Sequence, residues 1–109
     1  MKYDKLVRDK IPEVLKKNGC KSKFHVADRD EYLEKLFEKF GEEVNELLKA
    51  KNEEEMADVL DVMDALSDTL IKYFKLNKRK IRKIQINKAR ERGRFKKMII
   101  LEEAEAQPI

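Results

Sequence analysis

The chain of 109 residues contains one cysteine, three glycines, two prolines and no tryptophan. Its single cysteine, Cys20, cannot form an intrachain disulfide, which is typical of proteins from a reducing cytoplasm. No apolar run is long enough to predict a transmembrane helix. The N-terminal MKYDKLVRDK also lacks the apolar core of a signal peptide. We therefore expect a cytoplasmic protein with no membrane partner.

Length and composition predict one small domain spanning residues 1–109. Apolar residues make up 41% of the chain and charged residues 44%, which allows only a modest core inside a strongly charged surface. A chain this small that acts as an enzyme often oligomerises, because a second subunit enlarges the core and creates a cleft. We therefore expect a homo-oligomer.

The net charge of +4 hides an uneven distribution of charge along the chain. Seven acids and no base lie between Glu53 and Asp68, whereas thirteen bases and one acid lie between Lys72 and Lys97. The first region could hold cations and the second could hold anions. An enzyme that binds a metal–triphosphate complex would use both.

Hydrophobic periodicity and capping signals predict a largely helical protein. Four helices are predicted, over Arg8–Lys17, Asp28–Ala50, Asn52–Phe74 and Asn77–Arg92. Two short extended pieces are also indicated, a strand over Lys23–Ala27 and a strand or arm over Met98–Leu101. Because the link between the second and third helices is short, these helices should form an antiparallel hairpin.

Each helix of this hairpin carries an apolar stripe that we predict to be core. On the second helix the stripe comprises Leu33, Leu36, Phe37, Phe40, Val44, Leu47 and Leu48. On the third it comprises Met56, Val59, Leu60, Met63, Leu66 and Leu70. These residues recur at the spacing that places them on one face of a helix.

Two acidic pairs lie in the hairpin, Glu43 with Glu46 and Glu55 with Asp58. Residues three apart lie on the same side of a helix, so an antiparallel hairpin can bring all four carboxylates to one point. Carboxylates this close repel one another unless a cation neutralises them. Mg²⁺ prefers hard oxygen ligands and often bridges to substrate phosphates, so we predict a Mg²⁺ site, with Mn²⁺ as a second candidate.

Several other charged residues have predicted roles around this site. A metal-bound water, or one held by the spare carboxylates Glu42 and Asp61, would attack a phosphorus atom in line. Phosphate contacts are predicted for Arg8, Lys10, Lys88 and Arg92. These four bases could also be solvated surface residues, and the basic group around Gly93 could instead contact a partner subunit.

The acidic pattern resembles that of the MazG-like all-α nucleoside triphosphate pyrophosphohydrolases. The resemblance lies in KFGEEVNELLKAKN followed by EEEMADVLDVMDAL, and YDKLVRDKIPEVL and ARERGRFKKMIIL resemble a branch of small phosphoribosyl-ATP pyrophosphohydrolase-like proteins. It implies an all-α helical bundle completed as a homodimer or homotetramer. It also implies Mg²⁺-dependent cleavage between the α and β phosphates of a nucleotide, with Glu43, Glu46, Glu55 and Asp58 as metal ligands.

Three alternatives to this function stay open. The substrate could be phosphoribosyl-ATP of histidine synthesis rather than a non-standard nucleoside triphosphate. The protein could be a nucleic-acid-binding module, although an acidic hairpin would repel DNA and no recognition helix is evident. It could also be a catalytically silent regulatory oligomer that kept the fold. Base and sugar preference, the number of metal ions and the choice of dimer or tetramer also stay open.

Overall fold

A computed structural model describes residues 2–106, and all regular structure within that range is helical. The helices are α1 (Ile11–Lys17), α2 (Arg29–Lys49), α3 (Glu53–Tyr73) and α4 (Lys78–Arg92). This confirms the prediction of four helices. The strand predicted over Lys23–Ala27 is wrong, and Met98–Leu101 forms no strand, so only the alternative of an arm stays open there. An extended segment becomes a strand only when a neighbour pairs with its backbone, and alternating side chains alone do not supply one.

Side-chain caps fix where three of the helices begin. Asp28, Asn52 and Asn77 each accept a hydrogen bond of 2.9 Å from the backbone N–H three residues later. Such caps satisfy an N–H that has no partner within the helix. The first helix has no side-chain cap and begins at Ile11 rather than at the predicted Arg8. The residues before it form a turn in which the carbonyl of Arg8 accepts the N–H of Ile11.

Helices α2 and α3 pack against each other as an antiparallel hairpin, as predicted. Residues 50–52 connect them, so the end of α2 lies beside the start of α3. At the open end, Arg29 donates a hydrogen bond of 3.3 Å to the carbonyl of Tyr73. Its guanidinium group also lies over the rings of Tyr73 and Phe74, at 4.9 and 5.4 Å from their centroids. These contacts hold the two ends of the hairpin together through a cation–π interaction and a charged hydrogen bond.

The buried core of the hairpin is small. Leu36 of α2 and Leu66 of α3 are buried, together with Thr69. Much of the predicted core is instead exposed, namely Phe37, Val44, Leu48, Met56, Leu60 and Met63. The core prediction was wrong for these six residues, because two helices can bury only the sides that face each other. The rest of each stripe forms an exposed apolar face, which we call the hairpin stripe.

The chain divides into two compact units, one up to Lys75 and one from Leu76 onward. The first contains α1 and the hairpin. The second contains α4, which ends at Gly93 with a φ of 78°, a conformation that glycine adopts without strain. Whether the two units act as the single predicted domain stays a prediction. None of the described helices has the length and apolar character needed to cross a bilayer.

Candidate metal centre

Three of the four predicted metal ligands converge in the hairpin. Carboxylate oxygens of Glu43 on α2 and of Glu55 and Asp58 on α3 all lie within 4.8 Å of one another, and all three residues are half-buried. The Asn52 cap places Glu55 in the first turn of α3, and the i,i+3 spacing places Asp58 on the same side. Glu43 lies at the packed edge of α2 and faces both. We call these three residues the carboxylate triad.

The fourth predicted ligand, Glu46, lies outside the triad. Its side chain is 56% exposed, compared with 15% for Glu43, and one of its oxygens is 4.0 Å from Nζ of Lys49. It is near enough to act on the charge of Glu55 but not to offer an oxygen to the same point. Its role as a ligand stays a prediction that requires its side chain to turn inward.

The pKa of Glu55 is raised above its ordinary value. Partial burial is the largest cause, followed by the negative charges of Asp58, Glu46, Glu43 and Glu54. Among the residues that the structure describes, no Lys or Arg forms an ion pair with Glu55. The ionised carboxylate of Glu55 is therefore destabilised, and a bound cation would stabilise it.

Two basic side chains partly neutralise the other members of the triad. Nζ of Lys39 lies 3.5 Å from Glu43, one turn away on α2. Arg8, from the segment before α1, donates from Nη2 to Asp58 at 2.8 Å and to Asp61 at 2.9 Å. These hydrogen bonds raise the pKa of Arg8, with that to Asp61 the larger cause. The segment before α1 is thereby tied to the acidic side of α3.

The donor set suits a hard divalent cation. Oxygens bound octahedrally to Mg²⁺ at about 2.1 Å lie about 3 Å apart when adjacent and about 4 Å apart when opposite. The oxygens of the triad lie within 4.8 Å of one another, so small side-chain rotations would bring them to these separations. Three carboxylates would supply half of an octahedral shell and leave positions for water and phosphate oxygens.

The structure describes the surroundings of the remaining predicted site residues separately in each compact unit. Asp61 is one turn beyond Asp58 and is held by Arg8, whereas Glu42 is exposed and lines a surface crevice with Lys39 and the N-terminal segment. Lys10 is exposed at the start of α1. The predictions for Lys88 and Arg92 stay predictions, because both residues lie on α4, in the other compact unit.

Sequence reasoning missed two contacts of this centre. The i,i+4 spacing of Lys39 and Glu43 could have revealed the first, since such pairs meet on one helix face. The second, between Arg8 and the two aspartates, joins residues fifty or more positions apart and has no local signal. Arg8 was predicted as a phosphate contact, and the structure shows it bound to carboxylates.

No protein-family model matches the chain, and no curated protein or solved structure gives a significant match.

Proposed function

We propose that this protein is a Mg²⁺-dependent nucleotide pyrophosphohydrolase that cleaves a nucleoside triphosphate to the monophosphate and pyrophosphate. The observation that carries the proposal is the carboxylate triad with an arginine beside it. Metal ligands and an arginine next to each other are what a metal-bound triphosphate needs. The likeness of the acidic motifs to those of the MazG-like enzymes supports the same reaction, and the exposed thiol of Cys20 suits the reducing cytoplasm in which we expect it.

In this proposal the triad binds the cation, and Glu46 completes the site when its side chain turns inward. Bound Mg²⁺ supplies charge neutralisation at the phosphate oxygens and lowers the pKa of a coordinated water. Arg8 lies beside Asp58, so its guanidinium group can move from the aspartates to a phosphate oxygen with a small change of rotamer. Arginine suits this contact because its planar group donates two parallel hydrogen bonds to phosphate.

Asp61 and Glu42 are the candidates for activating the attacking water. A carboxylate oxygen of either residue would accept the proton as the water oxygen attacks phosphorus. Asp61 is better placed, because it lies one turn beyond Asp58, whereas Glu42 lies outside the triad in a surface crevice. The hydrogen bond from Arg8 would orient the carboxylate of Asp61.

The test is pyrophosphate release from a panel of nucleoside triphosphates and phosphoribosyl-ATP, with Mg²⁺ or with EDTA. We expect release that depends on Mg²⁺ in the wild type and is lost in Glu43→Gln. Glu38→Gln is the matched control. It removes the same charge from α2 and breaks a comparable ion pair, that of Lys35 and Glu38 at 3.2 Å, but lies outside the triad. Equal loss in both variants, or no release from any substrate, would contradict the proposal.

We also infer that the hairpin stripe is covered by a second copy of the chain. On α3, at about 100° per residue, the exposed residues Met56, Leu60 and Met63 lie about 80–140° around the axis from Glu55, so the stripe can be covered without closing the metal centre. A 109-residue chain whose described core includes only two buried apolar side chains gains stability by burying such a face. Two hairpins packed in this way would form a four-helix bundle.

A charge placed in the hairpin stripe should separate the subunits. We expect the wild type to be a dimer or tetramer by light scattering at micromolar concentration and Leu60→Asp to be a monomer, since a buried unpaired carboxylate is costly. The control is Asn45→Asp, which adds the same charge at an exposed position of α2 outside the stripe. A wild type that stays monomeric, or an unchanged mass for Leu60→Asp, would exclude this interface.

A further inference from the structure

The second compact unit carries a dense set of positive charges, of which only Lys88 and Arg92 are predicted to contact the substrate of the proposed reaction. Eleven Lys and Arg residues lie between Lys78 and Lys97, with Glu91 as the one acid among them. All eleven are exposed. In the part of the chain that the structure describes, none of them forms an ion pair. This surface is therefore strongly cationic, and no ion pair among its described residues neutralises it.

The bases of α4 surround the helix instead of occupying one side. At about 100° per residue, Arg79, Lys83 and Arg90 lie on one side of the axis, while Lys88 and Arg92 lie on the opposite side. Of the exposed isoleucines, Ile81 and Ile84 lie about 60° apart with Lys88 between them, and Ile86 lies at least about 140° from both, so they form no wide apolar face. A membrane-surface helix needs a wide apolar face opposite its charges. Positive charge on all sides of α4 suits a flexible polyanion that can wrap around the helix.

An aromatic ring stands next to these charges. Phe95 follows Gly93 at the end of α4, between Arg94 and Lys96, and is 96% exposed. A fully exposed phenylalanine gains nothing from the folded unit itself. In proteins that bind single-stranded nucleic acid, exposed aromatic rings flanked by Lys and Arg stack on the nucleobases. Such a ring requires an unstacked base, which a single strand offers and a duplex does not.

We propose that residues 78–97 bind single-stranded nucleic acid. The Lys and Arg side chains of α4 contact the phosphates, and the ring of Phe95 stacks on a base. Charge complementarity favours nucleic acid as the ligand, since eleven Lys and Arg residues without ion pairs match a polymer that carries one negative charge per nucleotide. This binding is independent of the proposed hydrolysis and of the carboxylate triad.

The phosphate contacts are tested by salt dependence. The measurement is fluorescence anisotropy of a dye-labelled single-stranded oligonucleotide of mixed sequence, titrated with the full chain at several salt concentrations. One variant replaces four α4 bases by glutamine: Arg79, Arg82, Lys83 and Arg90. The matched control replaces four exposed lysines of the first unit: Lys16, Lys17, Lys21 and Lys23. We expect the α4 variant to lower the slope of log K against log salt by about 3, and the control to leave it unchanged.

The stacking contact is tested separately with Phe95→Leu, which keeps an apolar side chain and every charge. We expect about tenfold weaker binding of the oligonucleotide and unchanged binding of inorganic polyphosphate, which has charge but no bases. Equal slopes for the α4 variant and its control would overturn the proposal. So would wild-type polyphosphate binding as tight as oligonucleotide binding, or binding to vesicles containing anionic lipid without binding to the oligonucleotide.

Discussion

Glu55→Gln should abolish Mg²⁺-dependent pyrophosphate release, with a loss of about a hundred- to a thousandfold. A metal ligand contributes several kcal/mol of charge stabilisation in the transition state, and each 1.4 kcal/mol corresponds to about a factor of ten in rate. Glutamine has nearly the same shape, and the hydrogen bond from the backbone N–H of residue 55 to Asn52 does not involve the side chain. The start of α3 should therefore be intact, and the measurement is kcat/KM at saturating Mg²⁺.

The same substitution should stabilise the metal-free protein. The pKa of Glu55 is raised in the folded state by burial and by its acidic neighbours, so folding favours the protonated carboxyl group. This contribution to stability is fully present below the pKa of the unfolded chain and is lost as pH rises through the folded pKa. Above that pH, Glu55→Gln should therefore unfold at a higher temperature than the wild type in EDTA. At acidic pH the two should agree.

Glu54→Gln is the control for both effects, because Glu54 is the adjacent, exposed residue and lies outside the triad. It should retain activity and nearly the wild-type dependence of melting temperature on pH, because its charge is the smallest of the causes that raise the pKa of Glu55. A Glu55→Gln variant that keeps its turnover would exclude Glu55 as a ligand. One that loses turnover and is also less stable in EDTA at neutral pH would show that Glu55 is needed by the fold instead.

Arg8→Gln should change metal binding and catalysis in opposite directions. The guanidinium group of Arg8 donates a hydrogen bond to the carboxylate of Asp58, so a cation that binds the triad must compete with it. Because the ion pair is exposed, its removal should tighten Mg²⁺ binding only modestly, by up to about fivefold. Loss of a charged hydrogen bond to phosphate should lower kcat/KM by about ten- to a hundredfold. Calorimetric titration of Mg²⁺ and steady-state kinetics measure the two effects.

The control for this result is Lys5→Gln, in the same N-terminal segment but without an ion pair to the triad. Lys5→Gln should leave the Mg²⁺ affinity and kcat/KM nearly unchanged. If Arg8→Gln weakens Mg²⁺ binding, Arg8 acts as a support that positions Asp58 and Asp61, and its role as a phosphate contact is wrong. Arg8→Lys should retain part of the activity, since lysine keeps the charge but loses the paired donors.

The helices were readable from the sequence because their signals are local. Asp28, Asn52 and Asn77 each precede a periodic apolar segment, and Gly93 ends the last one. These signals concern a few adjacent residues and the hydrogen bonds of their own backbone. The false strand over Lys23–Ala27 had a local pattern as well, but a strand also depends on a partner that no local pattern reveals.

The site was readable to the extent that it depends on helix geometry. The i,i+3 spacing of Glu55 and Asp58, and their pairing with Glu43 across the hairpin, follow from periodicity and a short connection. The exposure of Glu46 does not follow, because a rotation of about 60° around α2 decides between facing α3 and facing solvent. The hydrogen bonds of Arg8 to Asp58 and Asp61 do not follow either, because they join residues fifty or more positions apart and depend on tertiary structure.

Calorimetric titration of the wild type with Mg²⁺, alone and with a non-hydrolysable nucleoside triphosphate analogue, tests the central claim most directly. The account predicts saturable Mg²⁺ binding that is tighter with the analogue and absent in Glu55→Gln, together with a higher melting temperature in Mg²⁺, because a ligand of the folded state alone stabilises it. Absence of Mg²⁺ binding under both conditions, or unchanged binding in Glu55→Gln, would contradict it.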